Sequence, residues 1–192
     1  MAWAKAGTTT LSCTTDVIDV TSLSNNKFST MLNHGLYSGD SNGTFNFNND
    51  TGSNYAFRNN YAGGSEGTSV NQTKFSYNDS STHDSIFAIS YIYNISSEEK
   101  LFITNQATVG STGAGNAPNR AEQVGKWANT SDVITSIKHT QSSGGGDYIS
   151  DSNTSVIGSD GVASMKVQDG SIFYDTDLNK EYVLYNGAWT EL

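Results

Sequence analysis

The chain has 192 residues, ten Lys and Arg against 19 Asp and Glu, a formal net charge of −9 and one cysteine. The acidic balance argues against nucleic acid as a partner, because phosphate contacts need clustered cations. A lone cysteine cannot form an internal disulfide, and no CxxC or Cys/His cluster suggests zinc, so Cys13 reads as a small buried residue. Ten Tyr, eight Phe and three Trp are too many for a disordered chain, and 19 Gly against one Pro means that turns are made by Gly and Asn.

The start, MAWAKAGTTT, lacks the apolar centre of a signal peptide, and no apolar run approaches the ~20 residues that cross a bilayer, so neither secretion nor membrane insertion is expected. Segments rich in Val, Ile, Thr, Phe and Tyr then recur between clusters of Gly, Asn, Asp and Ser, which predicts strands over 8–13, 16–20, 28–37, 43–47, 54–58, 72–77, 85–94, 100–105, 121–128, 132–140 and 162–167. In Gly43-Thr-Phe-Asn-Phe47 the alternation puts Phe45 and Phe47 on one face and Thr44, Asn46 and Asn48 on a wet one.

Gly63-Gly-Ser-Glu-Gly67 matches the G-x-S-x-G of a hydrolase nucleophile elbow. That chemistry needs an apolar strand, a tight turn and a helix start whose amides hold an oxyanion. Polar Asn59 and Asn60 precede the match and a strand-like segment follows it, so Ser65 reads as a loop residue. The histidines that would serve it have plainer readings: His34 in a strand, His83 in a polar loop and His139 at the end of a strand. No catalytic residue, metal site or cofactor is expected.

Ile86-Phe-Ala-Ile-Ser-Tyr-Ile-Tyr93 is apolar on both alternating faces, the pattern of a central strand covered on each side. Helix propensity is favourable only over 119–128, where Gly125 and the short length oppose it. The glycine-rich stretches 110–119 and 141–147 read as surface connections. The first lacks the Gly-Lys-Ser/Thr ending of a phosphate loop and the second has no helix after it.

Beyond Gly161 the pattern becomes compact. Strands over 171–174, 181–185 and 188–192, with the type I′ signal Asn186-Gly187, predict a three-stranded meander. Asp175, Asp177 and Asn179 have the spacing that opens a calcium loop, yet Lys180 stands where the sharp-turn Gly belongs, which favours a tight Asx turn. The expected organisation is a β-sandwich domain over 1–161 and a β meander over 162–192.

Phe47-Asn-Asn-Asp-Thr-Gly-Ser-Asn-Tyr-Ala-Phe-Arg58 with the Gly63-Gly64 loop, and Gly113-Ala-Gly-Asn-Ala-Pro-Asn-Arg120 followed by Gly125-Lys-Trp127, resemble a family of small virion structural proteins of tailed, especially marine, bacteriophages. Asp169-Gly-Ser-Ile-Phe-Tyr-Asp175 and Tyr185-Asn-Gly-Ala-Trp189 resemble short β modules at the ends of phage fibre proteins. The resemblance implies an all-β fold, a β-sandwich of jelly-roll type, without enzymatic activity. It implies a place on the virion surface, as a tail-fibre or receptor-binding module or a head decoration protein, with assembly in the host cytoplasm and release by lysis. The implied partners are other virion proteins, copies of the chain itself in a trimer, and a host-surface glycan. Exposed aromatic rings stack on sugars, so Tyr61, Trp127 and Trp189 are the candidate ligand or receptor contacts, although each residue type is more often core. The alternative is a free carbohydrate-binding β-sandwich module, which ordinarily accompanies a catalytic domain and a secretion signal.

Overall fold

The computed structural model describes residues 3–39, 43–77, 85–141, 146–160, 170–186 and 188–192. It falls into two compact units, Ala2–Gly161 and Val162–Leu192. The strands of the first are β1 (Ala4–Thr10), β2 (Val17–Val20), β3 (Phe28–Leu36), β4 (Gly43–Phe47), β5 (Tyr55–Tyr61), β6 (Gly67–Gln72), β7 (Phe75–Ser76), β8 (Ser85–Tyr93), β9 (Lys100–Thr108), β10 (Asn119–Trp127), β11 (Ile137–Gln141) and β12 (Asn153–Ser159). The second contains β13 (Ile172–Asp175), β14 (Lys180–Tyr185) and β15 (Ala188–Glu191). The protein is all-β, and no helix occurs among the described residues.

The first unit is an antiparallel sandwich of two unequal sheets. The larger has eight strands in the order β1-β12-β3-β8-β9-β10-β5-β6, and the smaller four in the order β2-β11-β4-β7. Aromatic side chains hold them together. Phe102 on β9 meets Phe45, Phe47 and Phe75 of the smaller sheet at ring distances of 5.6, 6.5 and 4.1 Å, and Trp127 on β10 lies 5.9 Å from Phe47. Each fully buried ring of this kind contributes roughly 1.5–3 kcal/mol by leaving water. Phe45 and Phe47 are both buried, as their alternation requires.

Part of the interior is polar. Ser90 and Thr104 hydrogen-bond at 2.7 Å, Thr154 Oγ1 donates to Asn33 at 2.9 Å, and the Tyr77 hydroxyl lies 3.5 Å from His139 Nδ1. Burial lowers the His139 pKa to about 3, so the ring is neutral. Its plane stacks on Tyr77 with the ring centres 5.8 Å apart. Burial raises the Tyr77 hydroxyl well above its ordinary value, and neighbouring Tyr37 adds to this.

The strand expected over 121–128 forms as β10, where a ladder on each side, from β9 and β5, outweighs the local helix propensity. Several other expectations are corrected. One strand carried no clear signal: β12, Asn-Thr-Ser-Val-Ile-Gly-Ser, is made mostly of small polar residues yet lies between β1 and β3. The strand-like segment after Gly67 forms β6 at the sheet's edge, and the strand expected over 72–77 is reduced to β7, Phe75–Ser76, which joins the smaller sheet. The expected strand over 132–140 shortens to β11, since Asn48 and Asn94 accept the amides of Thr135, Ser136 and Ile134 and so hold the preceding residues in an irregular turn. Cys13 is exposed, because it sits in the connection between β1 and β2 rather than in a strand. The strand expected over 162–167 lies outside the described residues. β8 is interior to the large sheet, but only its inward Ile86, Ala88, Ser90 and Ile92 are buried, while Phe87 and Tyr91 on the outer face remain 49% and 53% exposed.

The second unit is a meander, β13-β14-β15, with Phe173 facing Tyr182 and Leu184 facing Trp189. Asn186 takes φ 49°, the left-handed value that the first turn position of a type I′ hairpin demands. Of the side chains expected to pack together, Tyr182, Leu184 and Trp189 share one face, whereas Tyr174 pairs with Glu181 on the other.

Candidate functional site

The two stretches of the first unit that carry the family resemblance, far apart in sequence, meet at one corner of the sandwich. β5 and β10 pair so that Tyr55 faces Trp127 and Phe57 faces Gly125. The loop between β4 and β5 closes over them through Asp50, whose carboxylate accepts hydrogen bonds from the Gly52 amide at 2.8 Å, Asn54 Nδ2 at 2.9 Å and Trp127 Nε1 at 2.7 Å. Partial burial disfavours the charged form of Asp50, but the bonds from Asn54, Trp127 and Gly52 outweigh it and hold the pKa below the usual carboxylate value. The Tyr55 hydroxyl donates to the carbonyl of Asp50 at 3.1 Å. Asn48 and Asn49 adopt φ 52° and 53°, a left-handed turn that Asn tolerates better than most residues.

Behind this corner Lys100 is fully buried, with its Nζ donating to the carbonyls of Glu98 at 2.8 Å and Asn129 at 2.6 Å and lying 5.9 Å from the centre of the Trp127 ring. Burial lowers its pKa, partly offset by Asp132 and Glu98. These polar groups are committed to holding loops in place. The quoted residues therefore have an architectural role that motif spacing alone did not reveal.

The structure separates the three candidate contacts. Trp127 is 1% exposed, so its ring belongs to the core and cannot stack on a sugar; this corrects its assignment as a contact. Tyr61 is half-buried at the end of β5, and Trp189 is exposed on the meander against Phe173, whose ring centre lies 5.9 Å away. Ser65 is exposed in the β5–β6 connection, where Ala62 and Gly63 have positive φ and a strand follows, so the strand–turn–helix of a nucleophile elbow is not formed there. His139 is buried, His34 is exposed on β3, and His83 lies outside the described residues. Asp175 Oδ1 accepts the amides of Asp177 at 2.9 Å and Leu178 at 3.0 Å, which is Asx-turn geometry, and the Tyr174 hydroxyl donates to Asn179.

A polar concavity of about 360 Å³ lies on the smaller sheet, against β4 and β11. Thr44, Asn46, Lys138 and Thr140 line it from adjacent outward positions, and Asn49, Thr51, Thr73 and Lys74 from the flanking loops. Thr44 Oγ1 donates to the Thr140 carbonyl at 2.8 Å, and Asn46 Nδ2 to that of Asp50 at 3.0 Å, so two of its walls are fixed. Two of the chain's ten cations thus stand in a cleft rich in hydroxyl and amide groups. The two lysines give the cleft a positive charge, while the Thr44 hydroxyl and one Asn46 amide proton are already taken up by those carbonyls. Of the residues that the alternation put on a wet face, Asn46 is half-buried and Thr44 is buried, its hydroxyl turned to the Thr140 carbonyl; Lys74, from the β6–β7 connection, and Lys138, on β11, are brought beside them only by the fold.

Compared with protein-family models, curated proteins and solved structures, the chain finds no match in any of the three.

Proposed function

We propose that the chain is a structural protein of the tailed-phage virion surface, a fibre or receptor-binding module or a head decoration protein, and that it works without catalysis. The observation carrying this reading is the corner built by Asp50, Tyr55 and Trp127: the residues resembling the virion family serve the packing of the sandwich. The jelly-roll winding implied by that resemblance belongs to the same proposal. Assembly occurs in the host cytoplasm, with other virion proteins and copies of the chain as neighbours and release by lysis.

In this role the meander, with exposed Ile172, Phe173, Tyr185 and Trp189, is a contact module for a neighbour or receptor. The test is mass spectrometry of gradient-purified particles together with gold-labelled antibody imaging. Stoichiometric presence and surface labelling are expected. A chain missing from purified particles refutes the proposal.

The polar cleft favours a second reading, a carbohydrate-binding module, free or on the virion. Glycan-array binding that Lys138→Glu abolishes supports it, and binding by a protein missing from particles selects the free module over the virion protein.

A further inference from the structure

Strands with one wet face ordinarily alternate apolar and polar residues, and the outer face of the large sheet breaks this rule. Its register sets Tyr91 on β8 beside Ile103 on β9, and Ile103 beside Val124 on β10, with Phe87 and Leu101 on the same face. All five are between 49% and 53% exposed. Half-buried Leu32, Ile89 and Tyr93 extend the apolar surface toward β3.

The relief of this face is two-sided. On one side of β9 the rings of Phe87 and Tyr91 stand up from β8. On the other, an apolar groove of about 530 Å³ runs between Leu101, Ile103, Val124 and Val70, with Arg58 and Lys126 along its margin. A knob and a hollow placed either side of one strand are self-complementary under a two-fold rotation whose axis crosses that strand, so each copy's rings enter the other's groove.

Charge narrows the choice of occupant. The chain carries −9, so two copies repel unless they meet through a neutral surface. Around the apolar patch three cations are matched within the chain: Arg58 with Glu66 at 2.6 Å, Lys126 with Glu99 at 2.7 Å and Arg120 with Glu122 at 3.6 Å. Size fits as well. The six strands from β12 to β5, at ~4.8 Å spacing and up to nine residues long at ~3.3 Å each, make a face of roughly 29 by 30 Å. That is about the ~800 Å² per partner of a standard protein interface.

We infer that the outer face of the eight-stranded sheet is a self-association surface, on which a second copy of this chain docks as an isologous dimer with Phe87 and Tyr91 of each copy in the groove of the other. The virion proposal includes contact between copies, but this inference rests on the sheet face alone and is tested on the isolated protein in solution. Its failure therefore leaves the virion proposal standing, and absence from particles leaves the dimer standing.

The experiment is sedimentation equilibrium of the full chain, of Tyr91→Glu, of Val124→Lys and of the double variant, with thermal melting to verify folding. At about 100 µM the wild type is expected to sediment as twice the 20.5 kDa chain. Each single change places a charge in an apolar contact and should weaken association at least ~10-fold. The double variant should recover it, because in the two-fold seating the new Glu of one copy meets the new Lys of the other. Raising NaCl from about 50 to 500 mM should change the wild-type constant less than ~3-fold, since the face carries matched charges. A wild-type monomer at this concentration, a trimer, or single variants that associate like wild type overturn the inference. Failure of the double variant to recover overturns the knob-in-groove seating.

Discussion

Gly125→Ala probes the tightest spot in the sandwich. Gly125 points inward from β10, and a Cβ there would lie 2.2 Å from both Cε1 and Cζ of Phe102 and 3.0 Å from Phe75 Cε1. Ordinary carbon contacts are ~3.5–4 Å, so one ring must retreat by more than an ångström. Phe102 is 2% exposed, with Phe75 4.1 Å away and Phe45 5.6 Å away on the opposing sheet, and these rings block its retreat. Overpacking of this kind costs about 1–3 kcal/mol. Against it stands a gain of ~0.4–1 kcal/mol from stiffening the unfolded chain. The lack of a retreat path places the net loss near 2 kcal/mol, which for a chain of this length lowers Tm by roughly 4–8 °C.

Urea denaturation followed by tryptophan fluorescence reads this directly, because Trp127 is buried in the same core. The control is Phe102→Leu, which removes the ring edge: in that background Gly125→Ala should cost at least ~1 kcal/mol less. A loss below ~0.5 kcal/mol in the wild type, or an equal loss in both backgrounds, refutes the steric argument.

Three further outcomes are expected. His139 has its pKa lowered to about 3 by burial, so its contribution to stability is complete above the unfolded value near 6.5 and disappears as pH falls toward 3; the advantage of wild type over His139→Phe should shrink by up to ~1.4 kcal/mol per pH unit between pH 6 and 4, and parallel pH profiles would contradict it. Asp50→Ala leaves Trp127 Nε1 without its acceptor and should cost ~1–3 kcal/mol at pH 7, less at pH 3, where the lowered carboxylate pKa means that protonation begins to remove the same interaction; a loss equal at both pH values argues against this. Ile86→Ala, at a site 1% exposed, should cost ~2–5 kcal/mol, while Ile89→Ala on the half-buried outer face should cost less than half as much, and equal losses by chemical denaturation would mean that both faces of β8 are covered within the chain.

Much of the strand pattern was legible because period-two alternation and Gly/Asn turns are local signals. The strands containing Phe45, Phe47 and Ile86 were found this way, as were the three meander strands and the left-handed Asn186. β12 was not, since Asn153–Ser159 has little apolar character, and its stability comes from ladders with β1 and β3 and from the bond of Thr154 to Asn33. Of the candidate contacts, Trp127 could not be placed from sequence, because an indole with a nearby Asp reads the same in a loop as in a core.

By itself the sequence determined the all-β class, the turns and the change of pattern after Gly161, because each depends on residues adjacent along the chain. Only the tertiary structure decided that Asp50 reaches Trp127, 77 residues away, and that Lys74 and Lys138 line one cleft. It also decided that just one face of β8 is covered within its own unit. Strand order brings distant residues together, and the side chains of β8 that alternate so regularly carry no record of whether a second layer stands above them.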